Sequence, residues 1–209
     1  MKKLFLFLFL FNSFCLFAQS DNDTQGEKLS FTTLRLNLQA NVLQKLTLID
    51  SFSEEDFYLN NTFSAGVEFV SKYNESLNFG IGFFYQLPTS IASSRAKMSI
   101  FPVYAFIDFP FITNEIFPVQ FTAQFGYAFL AVSGSLKKAY NGIYHALGFT
   151  TVLSRNLQIK FLYAHNYGEV NLDANSYDLR KESLTLALYF EIWIRYRETK
   201  KISKQLTFI

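Results

Sequence analysis

Between Leu77 and Leu87 the chain reads Leu-Asn-Phe-Gly-Ile-Gly-Phe-Phe-Tyr-Gln-Leu. Leu77, Phe79, Ile81, Phe83, Tyr85 and Leu87 are large and apolar. Asn78, Gly80, Gly82, Phe84 and Gln86 alternate with them and, Phe84 apart, are small or polar. A period of two over that length makes a β-strand, because successive side chains point to opposite faces of a sheet. In a soluble sandwich the apolar face turns inward and charge turns outward. Here the second face carries no charge and is mostly small, which suits a narrow polar lumen. A strand of this kind faces lipid with its apolar side and the inside of a barrel with the other.

The same pattern recurs along the chain. A first strand is expected over Leu29–Ala40, with Leu34, Leu36 and Leu38 opposite Arg35, Asn37 and Gln39, followed by a long polar connection through Asp50–Asp56. A second, Asn61–Lys72, sets Phe63, Ala65, Val67 and Phe69 against Thr62, Ser64, Gly66 and Glu68, and Tyr73–Ser76 turns into the third. After a Ser-rich loop, Pro88–Arg95, a fourth strand, Ala96–Phe109, is expected with Met98, Ile100, Tyr104 and Phe106 toward lipid. Pro102 lacks the N–H that a ladder needs and predicts a bulge or kink there. The fifth strand, Phe117–Ala131, repeats the alternation best; the sixth is Tyr140–Leu153, and the seventh begins at Leu157 after a three-residue turn, Ser154–Asn156. A long loop, Asn166–Lys181, leads to the last strand, Ser183–Tyr196, with Leu184, Leu186, Leu188, Phe190 and Ile192 outward.

These segments predict an all-β fold: an eight-stranded antiparallel transmembrane barrel of up-and-down meander topology over residues 29–196. The connections after strands one, three, five and seven are longer than those after two, four and six. Outer-membrane barrels have that asymmetry, with long extracellular loops and short periplasmic turns. Composition agrees, since aromatics reach 19% and charged residues only 17%, below the roughly 25% of soluble domains. A soluble barrel with apolar residues inside is the other all-β solution, and the continuous apolar faces of strands three, five and eight argue against that reversal. Residues 1–20 read as a cleaved secretory signal: Lys2-Lys3, an apolar run from Leu4 to Phe17, and small residues at Ala18 and Ser20. Cys15 follows Phe14 rather than a small residue, which disfavours lipidation. Asp21–Lys28 is a short polar lead-in, and 197–209 a basic tail. The net charge of +2 leaves with Lys2 and Lys3, so nothing points to nucleic acid.

The chain resembles the small bacterial outer-membrane β-barrel proteins of the OmpA/OmpX membrane-domain type. The resemblance rests on the leader ending Phe-Ala-Gln-Ser, on Gly80–Leu87, on Gln124-Phe125-Gly126-Tyr127 and on Gly142–Gly148. It implies an exported, monomeric protein of the cell outer membrane, without a cofactor. It also implies contact with outer-membrane lipid and lipopolysaccharide, and handling by the barrel assembly machinery. The chain departs from the family by continuing past its last strand to Phe208-Ile209. The tail, with Arg195, Arg197, Lys200, Lys201 and Lys204, is placed to touch peptidoglycan or an acidic periplasmic partner.

Eight strands leave an interior that side chains fill. Arg35, Glu68, Lys160 and Glu191 fall at similar depth on strands that become neighbours on closure, and they predict a charge network in the lumen. Some small barrels hydrolyse lipid A or phospholipid, with a His-x-Ser pair on one strand. The two histidines, His145 on the lipid face and His165 at the mouth of the last loop, have no serine at that spacing. They read as interfacial residues rather than catalytic ones. Two separated histidines with scattered acids also fall short of a metal site, although Glu169, Asp173 and Asp178 offer a loose calcium loop. The expected function is non-enzymatic: structural, or recognition through the extracellular loops. A narrow channel for small solutes and a lipid hydrolase are the alternatives.

Overall fold

A computed structural model describes residues 33–50, 52–72, 77–90, 97–113, 118–133, 138–154, 156–172 and 175–193. The segments read as leader, lead-in and basic tail lie outside these residues, as do 29–32 and 194–196 and the Tyr73–Ser76 turn.

The strands are β1 (Thr33–Ile49), β2 (Glu54–Leu59), β3 (Thr62–Lys72), β4 (Asn78–Ser90), β5 (Lys97–Ile112), β6 (Val119–Ser133), β7 (Lys138–Tyr140), β8 (Gly142–Ser154), β9 (Leu157–Leu172) and β10 (Asn175–Trp193). They form one antiparallel sheet in the order β10-β1-β3-β4-β5-β6-β8-β9, closed by pairing of β9 with β10. This is an eight-stranded meander barrel. β2 prolongs β3 across Asn60-Asn61, pairing with the upper part of β1, and β7 prolongs β8 across Asn141, pairing with the upper part of β9. One end of the barrel, called the turn end below, holds both ends of the described chain; the other, where β1 meets β2 and β9 meets β10, is called the loop end.

Two expected loops are strand. Asn166–Lys181 continues the β9–β10 ladder out to Leu172 opposite Asn175, and most of 41–59 is β1 and β2. Beyond the band of exposed Leu, Ile and Phe the outward face of a strand is no longer apolar, so the alternation that marks it lower down is lost. Leu43 adds a second reason. Its φ of 48° puts it in the left-handed region, and the β1–β10 register slips between Val42 and Lys45. A bulge of this kind re-aims every residue after it. Below it Arg35, Asn37, Gln39 and Asn41 point inward; above it Gln44, Leu46 and Leu48 do.

The fourth strand is inverted relative to expectation. Met98, Ile100, Tyr104 and Phe106 are buried in the lumen, and Phe101, Ile107 and Phe109 are exposed on the outside. The glycines opposite explain it. A Cβ on Gly82 would lie 2.8 Å from the Tyr104 ring and 2.9 Å from Glu68 Cγ, and one on Gly80 2.9 Å from the Phe106 ring. The bare backbone of β4 makes room for large rings from β5. Pro102 does perturb the ladder: no pair to β4 falls between Val103↔Phe83 and Ile100↔Gln86, and a register shift follows between Gln86 and Thr89.

At the β1–β2 tip, Asp50 Oδ1 accepts hydrogen bonds from the backbone N–H of Phe52 (2.6 Å) and Ser53 (2.8 Å). Those donors hold its carboxylate below the ordinary 3.8. A group lowered by folding stabilises the fold when ionised, so its contribution is complete above the ordinary value and lost as pH falls through the lowered one. The amide proton shifts of Phe52 and Ser53 in micelles are therefore expected to titrate together with a midpoint below 3.8. Flat shifts would show that the cap is absent.

Candidate functional site

The turn-end half of the lumen is filled by an ion cluster. Arg35 on β1 reaches Asp108 on β5 through Nη1 (2.7 Å), Glu191 on β10 through Nε (2.9 Å) and Glu68 on β3 through Nη1 (3.6 Å). Lys160 on β9 lies 3.3 Å from both Glu68 and Asp108. Lys72 closes the end at 3.3 Å from Glu191 and is 29% exposed. Arg35, Lys160, Glu68, Asp108 and Glu191 are fully or nearly fully buried.

The register assembles the cluster. Arg35 pairs with Glu68 on one side and Glu191 on the other. Lys160 pairs with Ala187 and lies one inward position deeper along β9 than Gln158, which donates to Glu191 Oε1 at 2.8 Å. Thus the structure brings Arg35, Glu68, Lys160 and Glu191 into one network. Asp108 was not anticipated, because β5 had been given the wrong face. The signal was available: Asp108 shares parity with Tyr104 and Phe106, and a lone acid on a spanning strand belongs inside.

Neutral partners satisfy the remaining oxygens. Thr122 donates to Asp108 Oδ1 (2.8 Å), Tyr104 to Glu68 Oε1 (3.1 Å) and Tyr144 to Gln124 Oε1 (2.6 Å). The Lys160 ammonium sits 4.5 Å from the Tyr189 ring centre and 4.9 Å from that of Phe106, close enough for cation–π attraction. Counting Lys72, three cations face three carboxylates, so the lumen carries no excess charge here.

Above the ions, Phe84, Tyr104 and Tyr144 form a ring cluster with centroids 5.5–6.1 Å apart. Higher still the lumen is lined by Leu46, Leu48, Leu59, Met98, Ile100, Leu130 and Leu179, all buried. Lys181 stands among them and donates to Gln86 Oε1 at 2.5 Å. Side chains therefore occupy the lumen at every level.

The histidines are not where they were expected relative to one another. His165 lies within β9, not at a loop mouth, and it pairs directly with His145 on β8. The rings stack with centroids 4.8 Å apart and planes 11° off parallel. Both lie on the outer surface, above Leu147, Phe161 and Leu184, which are exposed. The expectation of two separated histidines failed because it put His165 at the mouth of a loop, where it has no strand partner, whereas β9 continues past it and pairs it with His145. Among the described residues no helix is long and apolar enough to cross a membrane, and no group of three or more His, Cys, Asp or Glu side chains is disposed to hold a metal ion.

No protein-family model matches the chain, and no curated protein does. Solved structures do. Outer membrane protein OprG from Pseudomonas aeruginosa superimposes with a TM-score of 0.50 at 11% identity, covering 82% of this chain and all (100%) of that one. Neisserial surface protein A gives 0.49 at 13% identity, covering 75% of this chain and 96% of that one. Ail, the attachment invasion locus protein of Yersinia pestis, gives 0.45 at 12% identity, covering 78% and 100% respectively. The match to OprG shows the fold: this chain is a small, eight-stranded outer-membrane-type barrel.

Proposed function

We propose that this barrel is a non-enzymatic integral protein of the cell outer membrane that works through the surface at its loop end. The observation that carries this reading is the filled lumen: ions, then aromatic rings, then apolar side chains, with charge balanced where it is concentrated. A solute would have to displace buried, hydrogen-bonded groups in succession, and removing a partner from such a group costs more than the bond itself contributed.

What remains for function is the outer end. There β1, β2, β9 and β10 project beyond the lipid-facing band, and Phe52 (98% exposed) and Tyr58 (80% exposed) are displayed on the β1–β2 hairpin. Exposed aromatics on a paired hairpin favour recognition over catalysis. In this reading the outward Leu, Ile and Phe rows meet outer-membrane lipid, the barrel assembly machinery inserts the chain, and the basic tail faces the periplasm, where it can meet peptidoglycan or an acidic partner.

The test is reconstitution of the folded barrel into planar bilayers and into lipid vesicles. The expected result is a silent bilayer and no release of fatty acid from the vesicle lipid. Stable conductance steps would replace this reading with a narrow channel, and lipid hydrolysis lost in His145→Ala would replace it with an enzyme.

A further inference from the structure

Among the described residues one fully buried base has no acid beside it. Lys181 on β10 is 1% exposed, and the register sets it between Leu46 on β1 and Asn166 on β9. Its ammonium crosses the lumen and donates to Gln86 Oε1 on β4 at 2.5 Å. The wall around it is apolar, built of buried Leu46, Leu59, Met98, Ile100 and Leu179. Arg35 and Lys160, buried as deeply, each meet at least two carboxylates. On the outside of the barrel the same rows carry Lys45, Arg180 and Glu182, so this level lies beyond the apolar band. Burial alone acts on the Lys181 amine, and pushes it from 10.5 down to about 7.

We propose that Lys181 is a pH-sensitive latch for the loop end: neutral, it ties opposite walls of the lumen together through Gln86; protonated, it leaves the lumen and releases the upper parts of β1, β2 and β10. An ammonium among apolar groups with one neutral acceptor is poorly compensated for the water it loses. Its four-carbon stem lets the charge swing up to the rim, where Glu55, in the same row of β2 as Phe57 and Leu59, is exposed. The upper section also has a place to bend. Leu43 has a φ of 48°, and the β1–β10 register slips between Val42 and Lys45. Among the described residues β2 has a ladder partner, β1, on one edge only. The ion cluster lies below that bend and keeps its own partners. The latch concerns the packing of the loop end and stands whatever that end binds.

The groups that face Lys181 leave the transition to it. At this level β1, β3, β4, β5, β6 and β9 turn only neutral side chains inward, with amides at Gln44, Gln86 and Asn166. β2 adds Glu55 at the rim and β10 adds Tyr177, while Tyr144 on β8, beside Asn166, donates to Gln124. The closed form holds Lys181 neutral and so binds one proton fewer than the open form. Closing is therefore favoured as pH rises, by about tenfold per unit between about 7 and 10.5. Below about 7 both forms are charged and the balance no longer changes.

The experiment is amide hydrogen exchange of the folded full-length protein in detergent micelles between about pH 6 and 9, corrected for the intrinsic exchange rate. Protection at Leu46 and Leu179 is expected to be flat below about pH 7 and to climb about tenfold per pH unit above it. Protection at Arg35 and Lys160, in the ion cluster, is expected to be flat throughout. Lys181→Met keeps the apolar volume and is expected to give high, pH-independent protection at the loop end, whereas Glu55→Gln keeps the slope. A flat profile at Leu46 and Leu179 in the unaltered protein overturns the latch, and so does a slope that survives in Lys181→Met. Should that variant not fold, the lysine Cε resonances of the unaltered protein decide: one is expected to titrate near about 7, and titration of all of them near 10.5 overturns the proposal.

Discussion

Replacing Arg35 with Met is expected to lower the stability of the folded barrel by about 3–5 kcal/mol, the usual cost of breaking a buried ion pair from one side. The guanidinium is the hub of the cluster: it touches Asp108, Glu191 and Glu68. Met fills much of the volume and supplies no charge. Three carboxylates then share Lys160 and Lys72, and Lys72 sits at the end of the lumen, where water screens it. The excess acid has nowhere to go, because the strands around it are fixed by their ladders. Urea unfolding from lipid vesicles, followed by the fluorescence of the single tryptophan, Trp193, measures the loss. Lys72→Met is the control and is expected to cost under about 1 kcal/mol, as a partly exposed pair does. Adding Glu191→Gln to Arg35→Met is expected to recover part of the loss, because it removes one of the stranded charges. Equal effects of the two single substitutions would mean that the cluster is hydrated throughout and that the lumen is not sealed by it.

The cluster shows how far the amino-acid pattern can be read and where reading stops. Strands with one continuous apolar face announce which side meets lipid, and this placed Arg35, Glu68, Lys160 and Glu191 inside from alternation alone. β5 defeated the same rule because its inward face is also large and apolar at Met98, Ile100, Tyr104 and Phe106. Hydrophobicity does not distinguish a ring that faces outward from a ring that lies inside the lumen over a glycine of the adjacent strand. Gly80 and Gly82 carried that information, but only as a property of the neighbouring strand. Above the lipid band the rule lapses altogether. Asn, Asp and Ser residues in 166–181 look like loop, yet a backbone ladder needs no particular side chain once both faces are wet or the inner one is covered from elsewhere. The His145–His165 contact was lost for that reason. Finding it required the register between β8 and β9, which the alternation within either strand does not contain.

A second large effect is expected from Leu186→Arg, which should cost about 2–4 kcal/mol, the range for a basic side chain at the lipid-facing midplane of a barrel. Leu186 lies between Ala40 on β1 and Phe161 on β9, exposed on the outside and midway along the apolar band. Arginine there must either drag its charge into hydrocarbon or stretch toward a distant headgroup. Tyr58→Arg places the same side chain at a more exposed position beyond the band and is expected to be nearly neutral. The difference between the two, read as urea midpoints in lipid vesicles, isolates lipid from every other feature of the fold, because neither side chain reaches the lumen. A soluble barrel would accept Arg at both positions, since each is exposed. A gap of at least about 2 kcal/mol would therefore place the Leu186 face in hydrocarbon, and with it the Leu, Ile and Phe rows that share its parity around the barrel.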